Sequence, residues 1–381
     1  MKVLTYLTIF TTCFITFVQA KDSDLMKDLS FKTSSGVTLN YLLFVPKNYD
    51  SSKKYPLVVT LHAVGSTYLF QVDNNDQAHP WIEDDVQAAV PHFIMAPGCP
   101  GGSWGGMFGA GSSLSQECKA VIEAIEDLKK QYTLDTNRFI IGGFSLGGAG
   151  TYHMIKFLPN YWAAACPVGA GGDSLQFSDA SKIPTPIWHH QGSADNNGLA
   201  LFRMSAALER NHYSVLQISS EVVVTANGSG PSNWTKEIQN GTKPKDIIFK
   251  NATPSYDTIA RAVDAGANYI YQLITGPNHE MKTGASHEDS RINANHNPLL
   301  AKWAFSKRKG GPAVAIVPLP SRTAFTYNNN VSRTVLTTGN VSPATYVNNR
   351  IFTLLGQSDL QQPASGNSSV ILRLCKPSVK K

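Results

Sequence analysis

Gly143-Phe144-Ser145-Leu146-Gly147 is a G-x-S-x-G pentapeptide. A serine on a sharp strand-to-helix turn takes strained backbone angles, so the residues two positions away must lack bulk. The flanks suit that turn. Residues from Arg138 to Gly142 (RFIIG) read as a strand, and those from Leu146 to Phe157 as a helix. A serine hydroxyl is a weak nucleophile. It needs an adjacent base, and the base needs an orienting acid; together they perform acyl transfer. In the order Ser, acid, His, the acid is read as Asp195, after the strand PIWHH and the turn QGSA, and the base as His279, in the turn GPNH after NYIYQLIT. Asp173 is a rival acid; His287 and His296 are rival bases in polar, irregular surroundings. The developing oxyanion needs fixed donors. The expected pair is the Leu146 N–H, just after the nucleophile, and the Val64 N–H in the turn after PLVVT, with Ala63 the next choice.

Competing motifs fail on context. Gly172-Asp-Ser174-Leu175 spells the GDSL string of another serine-hydrolase group, but it sits mid-chain, and its D-x-x-H (Asp76 to His79) lies upstream. Ser174 is therefore read as a loop residue. No metal is expected. The sequences after His279-Glu280 and His287-Glu288 depart from H-E-x-x-H, and no C-x-x-C occurs. His189 and His190 are adjacent on a strand and face opposite ways. Trp104 and Trp188 are candidates to line a substrate pocket, with core packing the competing reading for Trp188.

The elements that must position these groups alternate between strand and helix. Strands are expected at 39–45, 55–62, 93–96, 138–142, 163–169, 186–190 and 268–275. Helices are expected at 114–132, 146–157 and 298–305. On 114–132, Cys118, Val121, Ile125 and Leu128 share one face, and Ser113 with Gln116 could form a capping box. Long connections between apolar strands imply a mostly parallel sheet with helices on both faces. Its reactive groups gather at the carboxyl ends of the strands.

Residues 1–20 read as an export signal. Lys2 precedes an almost wholly apolar run, and Val18-Gln19-Ala20 fits the cleavage rule. No other segment is long and apolar enough to span a bilayer. A secreted chain permits disulfides among Cys99, Cys118, Cys166 and Cys375; buried free thiols are the competing reading. Residues 21–309 form the expected catalytic domain, with a polar surface insertion at 227–255. Residues 310–381 read as a β-rich appendage. The chain carries 33 basic and 27 acidic residues, a net +6, and the tail holds seven bases and one acid, so it accounts for the whole excess. Nothing electrostatic in the catalytic segment points to nucleic acid. The tail could bind a polymer or a surface.

Five stretches extend the pattern beyond the pentapeptide: YLLFVPKNYDSSKKYPLVVTLHAVGS, IMAPGCPGGSWGG, IEDLKKQYTLDTNRFIIGGFSLGGAGTYHM, IPTPIWHHQGSAD and ITGPNHEM. Through them, residues from about 38 to 305 resemble the secreted α/β-hydrolase esterases related to feruloyl esterases and polyhydroxybutyrate depolymerases, and a related group of predicted phospholipase/carboxylesterase-type peptidases. The resemblance implies an α/β-hydrolase fold, with Ser145 as nucleophile, Asp195 as acid and His279 as base. It implies a secreted esterase acting on carboxylic esters, including polymeric ones, with no cofactor. Two positions depart from the pattern: Ala63 stands where the family has Gly, and Gln191 where it has His. A serine peptidase on the same fold and a non-catalytic binding protein are the alternatives.

Overall fold

The computed structural model describes residues 22–311, apart from 74–76, 106–112, 171–182, 196–197, 223–240, 280 and 282–284, together with 327–328, 332–333, 345–347 and 350–352. The expected export signal, residues 227–240 of the insertion, Asp173, Ser174 and Cys375 lie outside the described residues.

Nine strands form one sheet: β1 (Lys27–Lys32), β2 (Thr38–Phe44), β3 (Tyr55–Leu61), β4 (Phe93–Pro97), β5 (Leu134–Phe144), β6 (Ala164–Val168), β7 (Ile187–Gly192), β8 (Val215–Glu221) and β9 (Tyr269–Thr275). Their spatial order is β1-β2-β4-β3-β5-β6-β7-β9-β8. β1 pairs antiparallel with β2, and β2 with β4; the remaining pairs are parallel. The helices are α1 (Phe70–Asp73), α2 (His79–Ile82), α3 (Asp84–Ala89), α4 (Gln116–Gln131), α5 (Leu146–Phe157), α6 (Gly198–Arg210), α7 (Pro244–Ile248), α8 (Tyr256–Asp264), α9 (His287–Asn295) and α10 (Leu300–Ser306).

The two-residue period of a strand divides the core into two layers. Leu57, Val59 and Leu61 of β3 pack with residues of α4, α5 and α6. Val58 packs on the opposite face with residues of α2, α7, α8 and α10. Both faces of β3 are covered, which is why YPLVVTL is almost continuously apolar. α4 buries Cys118, Val121, Ile125 and Leu128 as its spacing predicts. Its cap is Ser115, not Ser113: the Ser115 Oγ accepts the Cys118 N–H at 3.1 Å.

Several elements were absent from the sequence reading, among them β1, β8, α6, α8 and α9, and of these β8 and α9 bear on the site. β8 is the outer strand beyond β9; its sequence VLQISSE mixes polar and apolar residues. α9 has the polar sequence HEDSRINAN, which carries little helical periodicity. A reciprocal capping box starts it: the Ser286 Oγ accepts the Asp289 N–H, and the Asp289 carboxylate accepts the Ser286 N–H. In the tail, β10 (Tyr327–Asn328) pairs with β11 (Ser332–Arg333), and β12 (Thr345–Val347) with β13 (Arg350–Phe352), both antiparallel. Cys99, Cys118 and Cys166 are free thiols. Among the described residues no helix is long and apolar enough to cross a membrane.

Candidate active site

Ser145 lies between β5 and α5, with φ 57° and ψ −114°. Positive φ is costly for a residue with a Cβ, and such strain concentrates at functional turns. Hydrogen bonds hold it there: the Ser145 N–H donates to the Val168 carbonyl at 2.9 Å, and the Ala149 N–H to the Ser145 carbonyl at 3.0 Å. The two glycines of the pentapeptide are required by contact. A Cβ on Gly147 would stand 1.8 Å from the Leu61 carbonyl oxygen, and one on Gly143 would stand 2.5 Å from the Gly147 backbone. Without side chains there, the first turn of α5 seats directly on the end of β3.

Asp195 follows β7 in a turn tied down on two sides. The Ser193 N–H donates to the Ile274 carbonyl at 2.8 Å, and the Ala194 N–H to the Ala285 carbonyl at 3.0 Å. The Asp195 side chain is only 4% exposed. Its Oδ2 accepts a hydrogen bond from the His287 Nδ1 at 2.6 Å, and the His287 side chain remains 33% exposed. A buried carboxylate holding a half-exposed imidazole is the arrangement a serine base requires. The His287 ring also lies against Phe144, the neighbour of Ser145, at 4.4 Å between centroids.

The pairing of His279 with Asp195 is therefore corrected. His279 does lie just beyond β9, in a 3-10 turn, but its Nδ1 meets the Ser219 Oγ of β8 at 2.9 Å. β9 runs between β7 and β8. The turn leans to the β8 side, away from Asp195. The chain then returns over the end of β7, where the Gly192 N–H donates to the Ser290 Oγ at 2.7 Å. A Cβ on Gly192 would stand 2.3 Å from the Ser286 carbonyl oxygen. That close seating puts the first residue of α9, His287, beside Asp195. The signal available in the sequence was Ser286 with Asp289, a capping pair that makes the intervening histidine the first residue of a helix. The other rival, His296, caps the far end of α9, its Nδ1 on the Ile292 carbonyl at 3.0 Å.

The expected oxyanion donors come from adjoining elements. Leu146 opens α5, and first-turn N–H groups have no carbonyl partner within their helix. Val64 is 63% exposed in the turn after β3. A 3.2 Å bond from the Ser66 N–H to the Ala63 carbonyl closes that turn. Ala63, the first departure from the family pattern, packs against the small cluster of Phe144, Val168 and Ala294. Trp104 is 1% exposed and packs in the core cluster with residues of β3 and α4, which corrects its reading as a substrate contact. Its Nε1–H donates to the His62 carbonyl at 3.0 Å, so it anchors the turn after β3 from beneath. Trp188 is also corrected as a substrate contact: it has no exposed surface, stacks on His190 and meets Trp303 edge-on. β7 lies inside the sheet, so a side chain on that face has only core to meet. Among the described residues no cluster of three or more His, Cys, Asp or Glu could hold a metal ion.

A mostly parallel sheet in this order, with helices on both faces and a strained serine between β5 and α5, defines an α/β-hydrolase. Residues 98–227, which include Ser145 and Asp195, match the model of the prolyl oligopeptidase family, Peptidase_S9. The chain is 26% identical over 166 residues to a bifunctional acetylxylan esterase/xylanase of Neocallimastix patriciarum, a match covering 44% of this chain and 23% of that protein. It is 30% identical over 114 residues to a probable feruloyl esterase C of Aspergillus terreus, covering 30% of this chain and 40% of the relative. Each match thus spans less than half of the relative's own length. A crystal structure of a thermostable esterase aligns with a TM-score of 0.49 at 24% identity, covering 75% of this chain and 64% of that one. The protein has an α/β-hydrolase fold, and over part of its length it is similar in sequence to feruloyl esterases.

Proposed function

We propose that the protein is a serine esterase that hydrolyses carboxylic esters through the triad Ser145, His287 and Asp195. The observation that carries this reading is the 2.6 Å Asp195–His287 pair beside the strained serine turn. The His287 Nε2 takes the Ser145 proton as the Oγ attacks the ester carbonyl. Asp195 keeps the Nδ1–H oriented and offsets the charge of the imidazolium. The Leu146 and Val64 N–H groups hold the oxyanion. The alkoxide leaves with the proton from His287, and water, activated by the same imidazole, releases the acid. The named activities of the relatives favour ester substituents of plant polysaccharides as substrates.

The test is hydrolysis of p-nitrophenyl acetate and of hydroxycinnamate esters by the full chain. Ser145→Ala should abolish it. His287→Ala should lower kcat by about 10²–10⁴, while His279→Ala leaves it within the same order as the wild type. Activity surviving in Ser145→Ala overturns the reading. Loss at His279 with retention at His287 returns the base to the first turn after β9.

The prolyl oligopeptidase match favours a peptidase as the second reading. Comparing those esters with peptidyl-proline anilides on one preparation separates the two. We further propose that the protein is secreted and begins at Lys21 once residues 1–20 are removed, which N-terminal sequencing of the exported chain would check. The basic segment 310–381 is proposed as a surface- or polymer-binding appendage to the catalytic domain, and retention of the full chain on insoluble polysaccharide at low and high salt tests it.

A further inference from the structure

Behind Asp195 runs a chain of buried polar groups that the triad itself does not include. Gln191 and His189 lie two residues apart on β7, so they share a face. On that face α5 brings Tyr152 to His189. Tyr152 is 2% exposed, and His189 and Gln191 are fully buried. The Tyr152 hydroxyl meets the His189 Nδ1 at 2.7 Å, the His189 Nε2 meets the Gln191 Oε1 at 3.0 Å, and the Gln191 Nε2 meets the Asp195 Oδ2 at 2.6 Å.

Chemistry sets the direction of every link. A carboxylate only accepts, so Gln191 must present its N–H to Asp195. Its carbonyl oxygen then faces His189 and also only accepts, so His189 carries its proton on Nε2. The His189 Nδ1 is left as an acceptor, and Tyr152 must donate. Burial supports this state, holding the His189 pKa down to about 4 and the ring neutral. Reversing any link would set two acceptors or two donors face to face in the core, where unmade hydrogen bonds are costly. Every hydrogen therefore points toward Asp195. Gln191 and His287 donate to the same oxygen, Oδ2.

We propose that Gln191 is a positioning residue for the triad: its amide, turned by His189 and Tyr152, fixes the Asp195 Oδ2 where the His287 Nδ1–H meets it. This rests on the assignment of Ser145, His287 and Asp195. It also gives a role to the second departure from the family pattern. The titratable groups facing the wire are Tyr152 of α5, His189 of β7, Tyr271 of β9 (its ring 5.6 Å from His189), Asp195, and His287 of α9.

The test uses the full chain with Gln191→Leu and Gln191→Glu. Two readouts are needed: steady-state kinetics on p-nitrophenyl acetate, and the far-downfield proton NMR signal of the His287 Nδ1–H. Thermal melts confirm folding. Gln191→Leu should lower kcat about tenfold, the order expected for losing a hydrogen bond to a charged acceptor, with KM unchanged and the downfield signal moved or lost through faster exchange. Gln191→Glu is the sharper variant. Its protonated carboxyl can still donate to Asp195, but its ionised form sets two carboxylates together. The alkaline plateau of the pH profile should therefore become a falling limb, which a space-filling role would not produce. A folded Gln191→Leu with unchanged kcat and an unchanged downfield signal overturns the proposal, as does a Gln191→Glu profile that keeps the wild-type plateau. If the wild type hydrolyses no ester but Gln191→Leu still moves the signal, the esterase reading falls and the positioning role stands.

Discussion

Gly169→Ala distinguishes the two histidines without replacing either. Gly169 follows β6 with φ +53°. A Cβ built there stands 2.9 Å from the His287 Cε1, 2.9 Å from the Phe144 Cε2 and 3.0 Å from the His287 Nδ1. Comfortable carbon–carbon contact lies at ~3.5–4.0 Å, so the two rings must retreat by about 0.5–1 Å. Left-handed backbone costs an alanine about 1–2 kcal/mol, and overpacking adds about 1–3 kcal/mol. The expected loss of stability is therefore roughly 2–5 kcal/mol. If His287 is the base, as proposed, the same displacement misplaces the imidazole relative to Ser145, and a 1 Å misplacement of a catalytic group costs on the order of 10² in rate. Thermal melts and kcat on p-nitrophenyl acetate, measured on one preparation, check both figures. Were His279 the base, held at Ser219, the variant would be destabilised with its kcat intact. A folded Gly169→Ala with the predicted stability loss and wild-type kcat would refute the assignment of His287.

Three other outcomes follow from the buried groups. Burial lowers the pKa of His92 and His189 to about 4 and that of His190 to about 3, from 6.5. The unfolded chain binds more protons in that window, so stability should be full above pH 6.5 and fall as pH drops toward 4; urea midpoints across that range test it. His79 behaves oppositely. Desolvation opposes its charge, but Asp22 at 2.6 Å and Glu83 at 2.9 Å prevail and raise its pKa. Its contribution is fully present below pH 6.5 and lost as pH rises through the raised value, so the gap in melting temperature between wild type and His79→Gln should shrink in alkali. Burial pushes the Cys99 and Cys118 thiols up to about 12, so titration with a disulfide reagent should be slow in the native protein and rapid in denaturant.

What the sequence determined was local. The serine turn was legible because it is built within five residues, where Gly143 and Gly147 must clear backbone contacts wherever the rest of the chain goes. The central strands were legible because β3 to β7 and β9 are covered on both faces, and such burial writes a continuous apolar run. The position of Asp195 just past β7 was legible for the same reason: a short turn leaves it nowhere else to go. Which histidine meets Asp195 was decided by the tertiary structure. His279 and His287 are eight residues apart in one polar segment, and spacing along a loop does not encode the direction in which it leaves a sheet. That direction follows from β8, an edge strand whose mixed composition hid it. β8 draws the first turn to itself, and the chain then folds back over Gly192 to start α9. The fates of the tryptophans were decided in the same way. An indole reads alike in a pocket and in a core, and only the neighbours across the sheet buried Trp188 and set Trp104 beneath the turn after β3.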